Sequence, residues 1–239
     1  MDEIRLLTIA GHAARAGIRC GRRWGAHALL AAAAACAGVA SGDPVATDPA
    51  QLRLQRWQEL MHQGSDTSEA QRLSEAQRLE VVNDFFNGAQ FVDDRDLWQK
   101  SDYWATPDEF LRRDAGDCED FAIAKYFTLK AMGIAPEKLR ITYVKVARLQ
   151  QAHMVLAYYA TPQAEPLILD NLNRRIEKAS VRSDLRPIYS FNAETLWLAK
   201  SRHEQREAGH PGQLQRWREM VARLDPELRK AVVSDALAN

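Results

Sequence analysis

The chain has 239 residues, 46% of them hydrophobic and 27% charged, with equal numbers of basic and acidic side chains. That length suits one compact domain with a small appendage, and the apolar share is enough for an ordinary core. The charge balance excludes a basic stripe of the kind that tracks nucleic acid, so no nucleic-acid partner is expected.

The chain begins with a basic stretch (Arg15, Arg19, Arg22, Arg23), an apolar run from Ala28 to Ala37, and small residues at Gly38, Ala40 and Gly42 where a signal peptidase can cut. Residues 1–42 read as an export signal; the competing reading is a buried alanine-rich helix. The run is short for a permanent anchor, so no stable membrane insertion is expected once it is removed. Its loss takes away five arginines and two acids and leaves 27 basic and 30 acidic residues, a net charge of −3. Cys20 and Cys36 leave with it, and Cys118 is then the one thiol in the exported chain. A lone thiol in an oxidising compartment is either a nucleophile or an inert buried residue.

Residues 43–66 read as an arm and a helix, with Leu54, Trp57, Leu60 and Met61 at helical spacing. Residues 67–232 read as the main domain. Its first helix is expected over 68–87, with Leu73, Ala76, Leu79, Val82 and Phe86 on one face. The hexamer Ser-Glu-Ala-Gln-Arg-Leu occurs there twice, at 68–73 and 74–79. A six-residue period matches no solenoid, so this is a local duplication. Residues 88–116 read as loop, rich in acids and aromatics. A helix over 118–131 is apolar nearly all round, hence central and buried, and Gly133 stops it. Strands are expected at Arg140–Ala147, His153–Ala160 and Leu167–Leu172. An amphipathic helix over Pro211–Leu224 follows, with another turn or two after Pro226.

Cys118 opens the buried helix, where free N–H groups and the helix dipole stabilise a thiolate. Gly116 permits a tight entry and a close approach to substrate, and Asp117 can cap the helix. The competing reading is a small buried core cysteine. A nucleophilic thiol needs a base and a group that orients the base. His153 opens one strand and Asp170 closes the next; if those strands are antiparallel neighbours, the two residues are adjacent. Alone, His153 reads as a capping residue and Asp170 as a turn former. His62, His203 and His210 have no comparable setting. Trp104, whose indole N–H can only donate, is the candidate oxyanion donor beside the Cys118 N–H; a core aromatic is the alternative.

Asp117, Glu119 and Asp120 crowd three carboxylates around the cysteine, which raises the thiol pKa. A divalent cation relieves that repulsion, and calcium accepts carboxylate oxygens in irregular geometry. Acids in the first turn of any helix are the plain alternative. Asp93, Asp94 and Asp96 are weaker ligand candidates.

The segments Trp104-Ala-Thr-Pro-Asp-Glu-Phe and Gly116-Asp-Cys-Glu-Asp-Phe-Ala-Ile-Ala-Lys-Tyr-Phe-Thr-Leu resemble the bacterial transglutaminase-like cysteine proteinases, and the likeness runs over roughly residues 80–200. It implies an α+β fold with a papain-like, transglutaminase-like core: a buried nucleophile helix packed on an antiparallel sheet, with flanking helices. It implies Cys118, His153 and Asp170 as the triad and Ca2+ held by the acids flanking the cysteine. In the branch it most resembles, the enzyme is periplasmic. The substrate there is a large surface adhesin cut near a di-alanine motif, and biofilm attachment is controlled by its release. The usual regulator is the periplasmic domain of an inner-membrane cyclic-di-GMP receptor. Two other readings stay open: an acyl transferase using the same triad, and a binding module that kept the fold without the chemistry.

Overall fold

The structure, a computed structural model, describes residues 48–65, 73–147, 151–199 and 205–232. The export signal, the start of the arm, the first hexamer copy up to residue 72 and His203 lie outside the described residues. No helix among the described residues is long and apolar enough to cross a membrane.

Helix α1 (Pro49–Ser65) packs on the later helices through Trp57 and Leu60, and the Trp57 indole N–H donates to Thr128 Oγ1 at 2.7 Å. Helix α2 (Glu75–Phe86) starts later than the apolar periodicity suggests, because Ser74 and Gln77 close a capping box there. The expected loop 88–116 contains four short elements: β1 (Gln90–Phe91), α3 (Asp94–Leu97), α4 (Pro107–Arg113) and β2 (Ala115–Gly116). Thr106-Pro107-Asp108-Glu109 explains α4, for Thr106 caps it, Pro107 occupies the first turn and Glu109 bonds back to the Thr106 N–H.

Helix α5 (Cys118–Ala131) has the expected bounds and is the hub of the fold. Nine of its residues from Phe121 to Leu129 are buried on every face, including Lys125 and Thr128. Gly133 ends it at φ +83°, with Ile134 N–H reaching back to the Leu129 carbonyl at 3.0 Å.

Seven strands follow, where the composition pointed to three. They are β3 (Leu139–Val146), β4 (Gln151–Tyr158), β5 (Leu167–Leu169), β6 (Glu177–Lys178), β7 (Leu185–Phe191), β8 (Leu196–Ala199) and β9 (Gln205–Gly209). They form one antiparallel sheet in the order β6-β5-β4-β3-β7-β8-β9. Strand β7 escapes pattern reading because Pro187 and Arg186 interrupt its apolar run; the register shift opposite Tyr143 and Val144 accommodates the proline. Strand β5 stops at Leu169 instead of running to Leu172, as Asp170 turns its side chain into a hydrogen-bond network.

Ile141, Met154, Leu156, Leu169, Tyr189 and Phe191 face the helices and join the main core, while Val144, Val155, Ala157, Ile168 and Leu185 form a small second cluster on the other face. The last helical region is divided: a 3-10 turn (Pro211–Gln213), α6 (Gln215–Arg223) and α7 (Pro226–Val232). Trp217 of α6 is fully buried, stacked on Phe127 of α5 at 5.7 Å and edge-on to Phe191 of β7. The architecture is the helix-on-antiparallel-sheet α+β fold expected from the cysteine motif.

Candidate active site

Cys118 is half-buried at the first turn of α5, where that helix packs on β4. Its thiol donates to Glu119 Oε2 at 3.0 Å, and the nearby backbone N–H of Met154, the residue after His153, favours the thiolate. Burial, then the charges of Glu119 and Asp117, push the thiol pKa well above its ordinary value.

His153 and Asp170 do lie together. β4 and β5 are antiparallel neighbours with Leu156 opposite Leu169, and this register brings His153 diagonally beside Asp170. His153 Nε2 sits 2.8 Å from Asp170 Oδ1, and both side chains are almost wholly buried. Leu172 N–H donates to the same oxygen at 3.0 Å. Burial alone raises a carboxyl pKa; here the His153 bond and charge, the Leu172 N–H and Arg182 outweigh it and hold Asp170 down at about 2. Arg182 Nη1 lies 2.8 Å from Asp170 Oδ2. Nothing in the sequence around Arg182 marks it, because its partner is 12 positions away across a strand pair whose register only the fold defines.

The acids around the cysteine form a larger cluster than the local motif contains. The two-residue parallel ladder pairs Gln90 with Ala115 and Phe91 with Gly116, and Val92 N–H continues it to the Gly116 carbonyl at 2.9 Å. This lays the start of α3 beside the start of α5 and delivers Asp94 to Asp117. Carboxylate oxygens of Asp94, Asp117 and Asp120 lie within 4.8 Å of one another; so do those of Asp94, Asp102 and Glu119, and the ligand atoms of Asp117, Cys118 and Glu119. Asp94 Oδ1 and Asp117 Oδ1 are buried without a hydrogen-bond partner in the described structure.

Burial, followed by mutual repulsion, raises the pKa of Asp94 to about 7 and lifts Asp117, Glu119 and Asp120 as well. Orphaned, converging carboxylate oxygens at raised pKa are what a hard divalent cation fits. Asp120 differs from the others: its Oδ1 accepts Ala105 N–H at 2.7 Å and its Oδ2 accepts Asp117 N–H at 3.4 Å, so both oxygens already serve the backbone. Asp93 stands at the N-cap position of α3 without a side-chain cap bond, and Asp96 is exposed; neither joins a convergent group among the described residues.

Gly116 is required for a reason other than a turn. A Cβ there would lie 2.6 Å from Asp120 Oδ2 and 2.7 Å from Phe110 Cδ2, so the close approach is to the interior. Trp104 is buried and stacks on Phe191 at 5.8 Å, and its carbonyl accepts from Arg223. His210 caps the 3-10 turn at Gly212, and His62 is exposed on α1.

Comparison with known proteins relates the chain to one family. A search of curated sequences returned no significant match. Among solved structures, Legionella pneumophila LapG is 44% identical, with 74% of this chain and 90% of that chain covered and a TM-score of 0.64. The EGTA-treated form of that protein gives 45% identity, the same coverages and a TM-score of 0.64; the calcium-bound form gives 44%, 74% and 92% coverage, and 0.63. Residues 52–186 match the family described as bacterial transglutaminase-like cysteine proteinase, BTLCP. With more than half its length matched by that family, and with LapG 44% identical over most of both chains, the chain is a member of the bacterial transglutaminase-like cysteine proteinases.

Proposed function

We propose that this cysteine protease is a calcium-dependent periplasmic endopeptidase that cuts the N-terminal region of a large surface adhesin near a di-alanine motif and so releases it from the cell. The observation that carries the reading is the buried His153–Asp170 pair, 2.8 Å apart, with His153 on β4, the strand against which the Cys118 helix packs. Cys118 is the nucleophile. Asp170 occupies Nε2 of His153, which leaves Nδ1 as the nitrogen that takes the thiol proton and later gives it to the leaving amine. The thiolate attacks the peptide carbonyl, and water hydrolyses the acyl-enzyme. The developing oxyanion meets the Cys118 N–H at the helix mouth, with the Trp104 indole N–H as the proposed second donor.

Asp94, Asp102, Asp117 and Glu119 are the proposed calcium ligands, with Asp120 holding the loop to the helix. Bound there, calcium supplies charge compensation that lets the thiol ionise at neutral pH. Support comes from the orphaned oxygens of Asp94 and Asp117 and from the calcium-bound form of the LapG relative. The proposed regulator is the periplasmic domain of a cyclic-di-GMP receptor that sequesters the enzyme and governs biofilm attachment.

The test is direct. Cys118→Ser should fold and cleave nothing, one equivalent of iodoacetamide should stop the wild type, and excess EGTA should abolish cleavage until calcium is restored. A strain lacking the enzyme should keep its adhesin on the surface. Cleavage by Cys118→Ser, or normal shedding by the deletion strain, overturns the reading at the level of mechanism or of substrate.

A further inference from the structure

We infer that Arg182 is a positioning residue for the catalytic pair: its guanidinium holds the second oxygen of Asp170 and so fixes the plane of the carboxylate that orients His153. This rests on the proposed triad. Asp170 Oδ1 is occupied by His153 Nε2 and by Leu172 N–H, at 2.8 and 3.0 Å. Oδ2 faces Arg182 Nη1 at 2.8 Å, a charge-to-charge contact rather than an aligned hydrogen bond, so its anchor is the guanidinium's charge and position; the Asp170 side chain is wholly buried. A carboxylate torsion is soft and roughly two-fold, so one anchored oxygen does not define its plane; two do.

Arg182 is itself clamped. Its Nε and Nη2 hold Asp184 Oδ1 and Oδ2 at 3.0 and 2.9 Å, the two-pronged geometry that gives arginine its directional rigidity. The backbone is tied down as well, by Arg182 N–H to the Lys178 carbonyl at 3.3 Å and by Leu185 N–H to the Arg182 carbonyl at 3.1 Å. From the helix side, Asn87 Nδ2 donates to the Asp170 carbonyl at 2.9 Å, and Lys125 Nζ in turn donates to Asn87 Oδ1 at 2.8 Å. The aspartate is therefore held at its main chain by α2 and α5 and at its carboxylate by Arg182.

The charges alternate in a sense that suits the reaction. When His153 carries the thiol's proton, the row His153, Asp170, Arg182, Asp184 reads plus, minus, plus, minus. Asp184, which is half-exposed, returns to the row the negative charge that Arg182 draws from Asp170. Lys125 is a further cationic side chain whose field reaches Asp170.

Arg182 also lines an open cavity of about 330 Å3, together with Val146, Leu172, Asp184 and Leu185. Solutes can therefore reach the place its side chain occupies, which makes chemical rescue possible.

The experiment compares wild type, Arg182→Ala and Arg182→Lys in the exported chain with calcium present. It reads the rate of Cys118 alkylation by iodoacetamide at neutral pH, kcat and KM on a peptide substrate, and the melting temperature. For Arg182→Ala the expected result is alkylation roughly 10-fold slower and kcat lower by about 100-fold, the scale of a catalytic group displaced by an ångström, with KM little changed. Millimolar guanidinium should restore much of both rates, and equal concentrations of sodium chloride or urea should not. Arg182→Lys, which keeps the charge but loses the fork, should fall between.

Unchanged rates in folded Arg182→Ala, or a loss that guanidinium leaves untouched, overturns the inference. If Arg182→Ala does not fold, Arg182→Lys decides: wild-type kcat overturns it, and a lowered kcat at unchanged melting temperature upholds it. Because alkylation needs no substrate, slowed alkylation in an enzyme that cleaves no adhesin upholds the inference while the substrate reading fails. A wild-type Cys118 no more reactive than free cysteine overturns both.

Discussion

Asp94→Asn should stabilise the calcium-free protein at pH 8 and weaken its response to calcium. In the folded chain Asp94 is 4% exposed, its Oδ1 lacks a hydrogen-bond partner among the described residues, and its pKa is raised from 3.8 to about 7. Burial is the main cause, followed by the nearby charges of Glu119, Asp102 and Asp93 against the opposing Tyr103 N–H. The folded state keeps this proton to about pH 7 while the unfolded state releases it near pH 4. Stability from this group is therefore present below about pH 4 and lost as pH climbs through about 7.

Roughly three pKa units correspond to about 4 kcal/mol. About two of those units lie above pH 5, or about 2.7 kcal/mol, so at ~2–4 °C per kcal/mol the calcium-free wild type should melt roughly 5–11 °C lower at pH 8 than at pH 5 on this account. Asp170 does not blur the comparison, because its depressed pKa places its own loss of stability below pH 4. Asparagine at 94 removes the charge and keeps an acceptor for the Tyr103 N–H, so the variant should lose the share of the pH dependence that Asp94 contributes, while the raised pKa values of Asp117, Glu119 and Asp120 sustain the remainder. The assay is thermal melting at pH 5 and pH 8 in EGTA, then in excess calcium. Wild type should regain stability with calcium at pH 8, and Asp94→Asn should regain less. Equal melting of the wild type at both pH values in EGTA, with no gain from calcium, would refute the argument.

Gly116→Ala should cost about 1–3 kcal/mol in urea unfolding, since the new Cβ meets Asp120 and Phe110 at 2.6–2.8 Å in packing that cannot relax freely. It should also lower activity by shifting Asp120 against the helix mouth. Lys125→Met should destabilise, because the Oδ1 atoms of Asn83 and Asn87 lose their donor, at about 1–3 kcal/mol for each buried acceptor left unpaired. Burial lowers the Lys125 pKa to about 7, so the wild type gains stability as pH rises from 7 toward 10 while the methionine variant does not. The gap between the two, measured by urea unfolding, should widen over that range.

The helix that carries Cys118 was legible in extent: its all-round apolar surface, the Asp117 entry and the Gly133 stop are local features that each act within a turn or two of chain. Strands β3 and β4 were legible in composition, but β4 runs over Gln151–Tyr158 and so carries His153 third from its start instead of first; the His153–Asp170 adjacency was conditional on antiparallel neighbours, the pairing the fold supplies. Strands β7 to β9 were not, because their residues are held in a sheet by partners across the fold and carry little alternation of their own.

The site divides along the same line. Cys118, Asp117, Glu119 and Asp120 are contiguous, so sequence alone placed them together. Asp94 reaches them through a two-residue parallel ladder, Asp102 through the loop that follows α3, and Arg182 reaches Asp170 through strand register. Sequence determined which residues have the chemistry to attack a peptide bond and which helix carries the thiol. Tertiary structure alone decided which oxygens are left unpaired and which cation steadies Asp170, because both depend on groups brought together by backbone pairing between distant segments.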